Sequence, residues 1–317
     1  MAASGPGVSL VVVTYDQARE LPRTLRSLLP PYQHEVVGGF EVIVVDNGSP
    51  VPAAEVIPAS LARAVRVHRI DDASPSPAAA ANAGLAMAQH ELIGLVIDGA
   101  RLASPRLVST AQQAAQAYPG AIVTAPAWHL GPDLQSRSAA HGYDEATEDA
   151  LLASSGWEAD GYQLFTIATP AASSARGLFG AMGESSSLFL SRPQWDALGG
   201  LDERFALPGG GLVNHDLYRR ACALPDATLV VLLGEGTFHQ VHGGAATSGA
   251  IGRDEMRADY ERITGAAHRP PSNRPTFVGA IPPQYLPYVQ RSAEMALGRM
   301  SDPHAADVDH AGRARDD

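Results

Sequence analysis

One cysteine, Cys222, stands among 317 residues, which excludes an internal disulfide and any metal site built on several thiolates. Lysine is absent, so all 23 basic side chains are arginine, and 34 acidic ones outnumber them to give a formal charge of -11. Polyanions are held by clustered basic groups, so this balance argues against nucleic acid as the main partner. No apolar run approaches the roughly 20 residues that cross a bilayer. The opening MAASGPG shows no basic stretch followed by an apolar core. These absences predict a chain with no integral membrane segment, suited to a reducing cytoplasm. No internal repeat is present. A chain of this length buries about three quarters of its unfolded surface, so a substantial core is available.

What the chain does have is a set of unbroken Val- and Ile-rich runs, SLVVVTYD, FEVIVVDNGS and ELIGLVID, each ending abruptly in polar residues. Runs without polar alternation predict strands buried on both faces, as in a parallel sheet. Ligands of such sheets bind beyond the carboxyl ends of the strands. There the chain offers Thr14, Tyr15 and Asp16, then Asp46 to Ser49, then Asp98. A small anionic or polyhydroxylated ligand suits these groups.

Between the runs the periodicity changes. Leu21, Leu25, Leu28 and Leu29 recur at helical spacing in 17–29, and further helices are predicted over 78–89 and from Pro105. This alternation predicts an α/β fold with a mostly parallel sheet sandwiched by helices. The pattern breaks over 129–183, a stretch with Tyr143, Trp157 and Tyr162 that follows Trp128 and reads as a long irregular insertion. SSSLFLSR and Thr228–Leu233 read as strands, the latter running into the glycine-rich loop GEGTFHQVHGG. The boundaries so predicted are a flexible N-terminus at 1–7, a ligand-binding half at 8–128 and a second half at 129–245. A helical C-terminal extension over 246–300 and a disordered tail over 301–317 follow. The proline-rich stretch 281–288 is a candidate docking surface for a second subunit, as in a homo-oligomer.

Read in order, the strand-to-Asp turns at 8–16 and 40–49, the segment RPQWDALGGLDERF and the segment PGGGLVNHDLYRRA resemble a family-2-like glycosyltransferase of the GT-A fold across residues 8–245. The resemblance implies a nucleotide-diphosphate sugar as donor and a soluble, natural-product-like or saccharide acceptor. On the donor side it implies Thr14, Tyr15, Asp46, Asn82, Asp98 and Arg101, with 8–128 as the nucleotide-sugar half. Within a catalytic half at 129–245, the acceptor-side candidates are Asn214, His242 and, by its placement just before an apolar strand, Glu184. The resemblance also implies a divalent cation, Mn or Mg, at Asp98.

Three departures accompany the likeness. Ala100 stands where the family's Asp-x-Asp has its second carboxylate, Ala81 where a basic residue commonly contacts phosphate, and Asn214 where an acid is usual. A lone carboxylate binds hard cations poorly. Either His239 or His242 completes a metal site with Asp98, imidazole suiting Mn better than Mg, or the Arg101 guanidinium neutralises the leaving group without a metal. For the base, Asp216 or His215 takes over from Asn214, or the enzyme retains configuration and uses the donor phosphate. Plainer readings stand beside these: Asp46 as a turn residue, and Asn214 and Asp216 as helix caps. Glu184 reads equally as a surface acid. The i,i+3 histidines are not an HExxH zinc motif. Alternatives at the level of function are a nucleotide-binding pseudoenzyme and a sugar nucleotidyltransferase, the latter disfavoured because no glycine-rich basic phosphate loop is present.

Overall fold

Seven consecutive buried residues, Val8–Thr14, form β1 and set the direction of the main sheet. The computed structural model describes residues 7–243 and 251–301. Apart from Gly7 and Ser301, the termini expected to be loose thus lie outside the described residues, as does the expected boundary at 245–246. After β1 come β2 (Phe40–Asp46), β3 (Val65–Arg69), β4 (Leu92–Val96), β5 (Arg101–Ala103) and β6 (Ala121–Thr124). They are followed by β7 (Ala127–Leu130), β8 (Ala168–Pro170), β9 (Leu188–Ser191), β10 (Thr228–Leu233), β11 (Thr237–His239) and β12 (Thr276–Gly279).

Eight strands make the main sheet in the order β12-β10-β6-β9-β4-β1-β2-β3. All pairs are parallel except those of β9, which runs antiparallel to both β4 and β6. An antiparallel strand begins where its neighbours end, so the chain entering β9 arrives at the carboxyl edge of the sheet, with Leu188 opposite Leu95 and Thr124. The core lies on both faces. The helix Leu21–Leu28 turns Leu21, Leu25 and Leu28 onto one face, and Trp195, Phe205 and Tyr218 pack on the other.

A second sheet of order β5-β11-β7-β8 lies beyond the first. Three of its strands, β5, β7 and β11, follow closely on β4, β6 and β10 in the chain, so the segments that leave the carboxyl edge pair with one another. The insertion predicted to be irregular is instead ordered. It contains β7 and β8, the helices Gln135–Ala140 and Glu145–Ser155, and the 3-10 helix Gly161–Ile167. Its Phe165 packs edge-on against Trp128, which precedes it, at 5.1 Å, and its Trp157 against Tyr32 at 5.8 Å, while Trp128 also meets Tyr288 at 4.8 Å. Five strands escaped the sequence reading, β5, β7 and β8 of the second sheet and two more. β11 lies within the glycine-rich loop, and β12 extends the main sheet from within the C-terminal extension, which is otherwise helical at Arg253–Thr264 and Leu286–Ser301. The stretch expected to dock a partner seals this core through the buried Tyr285 and Tyr288.

Glu235 ties the turn between β10 and β11 to its surroundings. It accepts hydrogen bonds from the Ser104 hydroxyl, from Tyr162 Oη at 2.9 Å and from Arg106 N at 3.3 Å. Burial pushes its carboxyl up to about 7, against the pull of these donors. A carboxyl raised on folding stabilises fully below the unfolded value and loses that contribution as pH rises through the folded one. Glu235→Gln, which cannot ionise, should therefore gain on wild type by up to about 3 kcal/mol between pH 5 and pH 8. Urea unfolding at both pH values measures the difference; a constant offset between the proteins would mean that Glu235 does not titrate in this range.

Candidate active site

The carboxyl edge assembles the site from four strand ends. Two residues beyond β4, Asp98 is oriented through both oxygens. Its Oδ1 accepts from Gln17 Nε2 at 2.5 Å and from Ala100 N at 3.0 Å, and its Oδ2 lies 2.7 Å from His239 Nε2. Gly99 permits this approach, because a Cβ there would stand 2.6 Å from Gln17 Oε1 and 2.8 Å from Thr14 Oγ1. Pairing within the second sheet sets His239 opposite Arg101 on one side and His129 on the other. Two strands thus flank His239 with basic and imidazole side chains.

His242, expected on the acceptor side, joins this group: its Nε2 is 3.1 Å from His239 Nε2 and 3.5 Å from Asp98 Oδ2. Between the two histidines, Val241 is clamped by its backbone. Its N–H donates to Glu148 Oε2 at 2.8 Å, its carbonyl accepts from Arg19 Nη2 at 2.7 Å, and Arg19 and Glu148 pair at 2.9 Å. The clamp comes from the insertion and from the turn after β1, so it locks the histidine segment to both.

Burial favours the protonated acid at Asp98, but the imidazoles of His239 and His242 outweigh it and hold the carboxyl well below the usual range. Burial, reinforced by Arg101, pushes His239 down to about 4, so its ring is neutral at pH 7. The ring nitrogen Nδ1 stands 2.5 Å from Gln135 Oε1, a contact that fixes the ring with Nε2 towards Asp98 and His242. Ligand atoms of Asp98, His239 and His242 lie within 4.8 Å of one another. One carboxylate and two imidazoles fit a divalent cation of the Mn type better than Mg, and the Gln135 contact is the outer support such ligands need.

Beside this cluster stands Arg101, with Nε 3.9 Å from Asp98 Oδ2 and only 14% of the side chain exposed. Its Nε and Nη1 are buried without a hydrogen-bond partner. Buried donors left unpaired cost about 1–3 kcal/mol each, which a bound anion would offset. Asn47, one residue past β2, likewise buries an unpartnered Oδ1 while its Nδ2 donates to the Ser74 carbonyl at 2.9 Å. Tyr15 is 57% exposed next to Thr14, whose hydroxyl donates to Gln17 Oε1 at 2.9 Å.

Three sequence expectations meet geometry that speaks against them. Asp46, expected on the nucleoside, is fully buried with both oxygens used: Oδ1 accepts from Ser49 N at 2.8 Å, and Oδ2 from Ala53 N at 2.9 Å and Arg69 Nη1 at 2.8 Å. It is the turn residue of the plainer reading. Asn82, expected on the donor, spends its amide on the turn after the helix Arg192–Leu198, with Oδ1 accepting from Leu201 N at 2.8 Å and Nδ2 donating to Leu201 O and Glu203 Oε1. Gly200 (φ 76°) comes so close to this amide that a Cβ would clash. Asp216, expected as the base, is buried and paired with Arg219 Nη2 at 3.2 Å and Arg220 Nε at 2.6 Å, so no oxygen is left for an acceptor.

Glu184 and its neighbours complete the cleft. Asn214 Nδ2 donates to Glu184 Oε2 at 3.1 Å and to the Ser185 carbonyl at 2.7 Å, and His215 Nδ1 lies 3.7 Å from the same carboxylate oxygen. Gln17, His129, Gln135 and the Arg19–Glu148 clamp were not singled out from sequence, and Asn47 was read there as one residue of the strand-end turn, with no role of its own.

A family model described as glycosyl transferase family 2 matches residues 9–165. No curated protein matches the chain. Among solved structures, S. aureus TarS in complex with UDP-GlcNAc is similar with a TM-score of 0.53 at 14% identity, over 93% of this chain and 73% of that one. The mannosyltransferase PcManGT from Pyrobaculum calidifontis, in complex with GDP-Man and Mn2+, gives 0.51 at 16% identity, over 99% of this chain and 77% of that one. Against a longer S. aureus TarS structure the TM-score is 0.50 at 13% identity, and the match covers 81% of this chain but 40% of that one. At such identities the likeness lies in the fold.

Proposed function

Residues 9–165 match the model of glycosyl transferase family 2, and from that premise we propose that the chain is a glycosyltransferase of the GT-A fold that transfers a sugar from a nucleoside-diphosphate donor to the hydroxyl of a small-molecule or saccharide acceptor. The observation that carries this reading is the convergence of Asp98, His239 and His242 beside the unpartnered donors of Arg101, at the carboxyl edge of the sheet. In the reaction the bond between the anomeric carbon and the diphosphate oxygen breaks, a bond to the acceptor oxygen forms, and negative charge grows on the departing diphosphate. Arg101 Nε and Nη1 are the donors available to that charge. Asp98, His239 and His242 would hold the cation, which when bound neutralises the diphosphate as a Lewis acid. Gln17 and Gln135 orient two of these three ligands.

The exposed Tyr15 and the free Oδ1 of Asn47 are the groups suited to the nucleoside. The carboxylate missing at Ala100 is offset by two imidazoles, which favours a working transferase over the nucleotide-binding pseudoenzyme. No helix among the described residues is long and apolar enough to cross a membrane. A cytoplasmic location and a soluble acceptor belong to the same proposal.

Thermal unfolding with UDP, GDP, TDP or CMP, each with Mn, Mg or EDTA, tests it. One nucleoside diphosphate with Mn should stabilise the protein by about 2.7 kcal/mol at a hundredfold excess over Kd, and EDTA should remove the effect. A shift indifferent to EDTA would place the charge compensation on Arg101 alone. No shift with any nucleotide would sink the donor site.

A further inference from the structure

Glu184 is a carboxylate of the cleft that neither the cation cluster nor an internal arginine pair engages. Asp98 is committed to Gln17 and the histidines, and Asp216 to Arg219 and Arg220. Asn214, on the first turn of the helix Val213–Cys222, cannot take a proton, and its amide instead holds Glu184. Glu184 keeps about a quarter of its side chain exposed, enough for a hydroxyl to reach it.

Its placement follows from the direction of β9. Because that strand is antiparallel, the residues that precede Leu188 stand at the carboxyl edge, where Asp98 and His239 also lie. Side chains pin them there. Ser185 Oγ bonds Thr124 Oγ1 at the end of β6 at 2.6 Å, and Ser186 Oγ bonds Thr237 Oγ1 at 2.7 Å, two residues before His239 in the same strand. Arg101 stands 3.9 Å from Asp98 Oδ2 and acts electrostatically on Glu184 as well.

We infer that Glu184 is the general base that removes the acceptor proton, with Asn214 and His215 as the residues that position it. The inference rests on the transferase reading above. As the acceptor oxygen attacks the anomeric carbon, its proton passes to the Glu184 carboxylate. The electron pair of the breaking carbon–oxygen bond goes to the diphosphate, which leaves as the nucleoside diphosphate; Glu184 then returns its proton to solvent. Attack opposite the leaving group inverts the anomeric configuration. Burial works against the charged form, but His215 and Arg101 outweigh it and hold the carboxyl below its usual range, so the base is ionised at neutral pH.

The test uses water as the acceptor and UDP-GlcNAc and GDP-mannose as donors, with Mn, comparing wild type, Glu184→Gln and Glu184→Asp. Glu184→Gln should lower kcat for donor hydrolysis by about 10²–10⁴-fold with the donor KM and the nucleotide-dependent rise in Tm unchanged, and Glu184→Asp should recover part of the loss. The first-formed sugar, read by NMR, should have the inverted anomeric configuration. Hydrolysis by Glu184→Gln within about threefold of wild type, or a retained configuration, would overturn the assignment while leaving the transferase reading intact. Loss of nucleotide stabilisation along with turnover in Glu184→Gln would overturn it too, by making Glu184 a donor-binding group. Wild-type protein that neither binds nor cleaves these donors would instead bring down the reading on which the inference stands.

Discussion

Asp98→Asn should lower kcat/KM for donor cleavage by about 10³-fold, a loss of about 4 kcal/mol of transition-state stabilisation, while leaving the protein folded. The carboxylate is the negatively charged member of the cluster with His239 and His242, so its loss weakens cation binding directly. The fold is spared for a geometric reason. Asparagine keeps an oxygen for Gln17 Nε2 and Ala100 N, and its new amide N–H can donate to His239 Nε2 once the neutral ring carries its proton on Nδ1, facing Gln135 Oε1. Titration of Mn by electron paramagnetic resonance should show a Kd raised by at least tenfold, and Tm should stay within a few degrees of wild type. Unchanged Mn affinity would move the cation elsewhere, and a collapse in Tm would make Asp98 chiefly structural.

Arg101→Met should separate catalysis from cation binding. The arginine offers two buried, unpaired donors to the leaving diphosphate, and removing a donor of this kind costs about 10²–10³-fold in kcat. Arg101→Lys should recover little, because an ammonium is a point charge and cannot reproduce the guanidinium fork. Without ligand, the methionine variant should melt no lower than wild type, since two unsatisfied buried donors disappear with the side chain. Mn affinity should be retained and the Tm gain from nucleoside diphosphate plus Mn should shrink. The reverse pattern, with Mn binding lost and the nucleotide response kept, would assign Arg101 to shaping the cation cluster and leave the leaving group without its donor.

Three aspartates at strand or helix ends show where sequence reasoning stops. Asp46 and Asp98 look alike in the chain, each closing a Val- and Ile-rich run. What separates them is Arg69, brought opposite Asp46 by the register of β2 and β3, against His239, brought beside Asp98 from 141 positions away. Asp216 was plausible for its place at a helix start, yet that helix itself carries the arginines that close it off at i+3 and i+4. That spacing was legible in the sequence; the burial that makes it decisive was not.

By itself the sequence determined the elements whose signals are local. Runs without polar alternation gave buried parallel strands, Leu at helical spacing gave the first helix, and polar residues at the ends of the runs marked the edge where a ligand binds. Tertiary structure alone decided which polar groups at that edge remain free. The antiparallel direction of β9 carries Glu184 to the edge, and pairing in the second sheet lines Arg101 and His129 up with His239. The clamp on Val241 adds His242. The reason is physical: periodicity reports which face of an element meets the core, whereas a catalytic group is defined by the partners that orient it and the hydrogen bonds it has left over, and those come from residues distant in the chain.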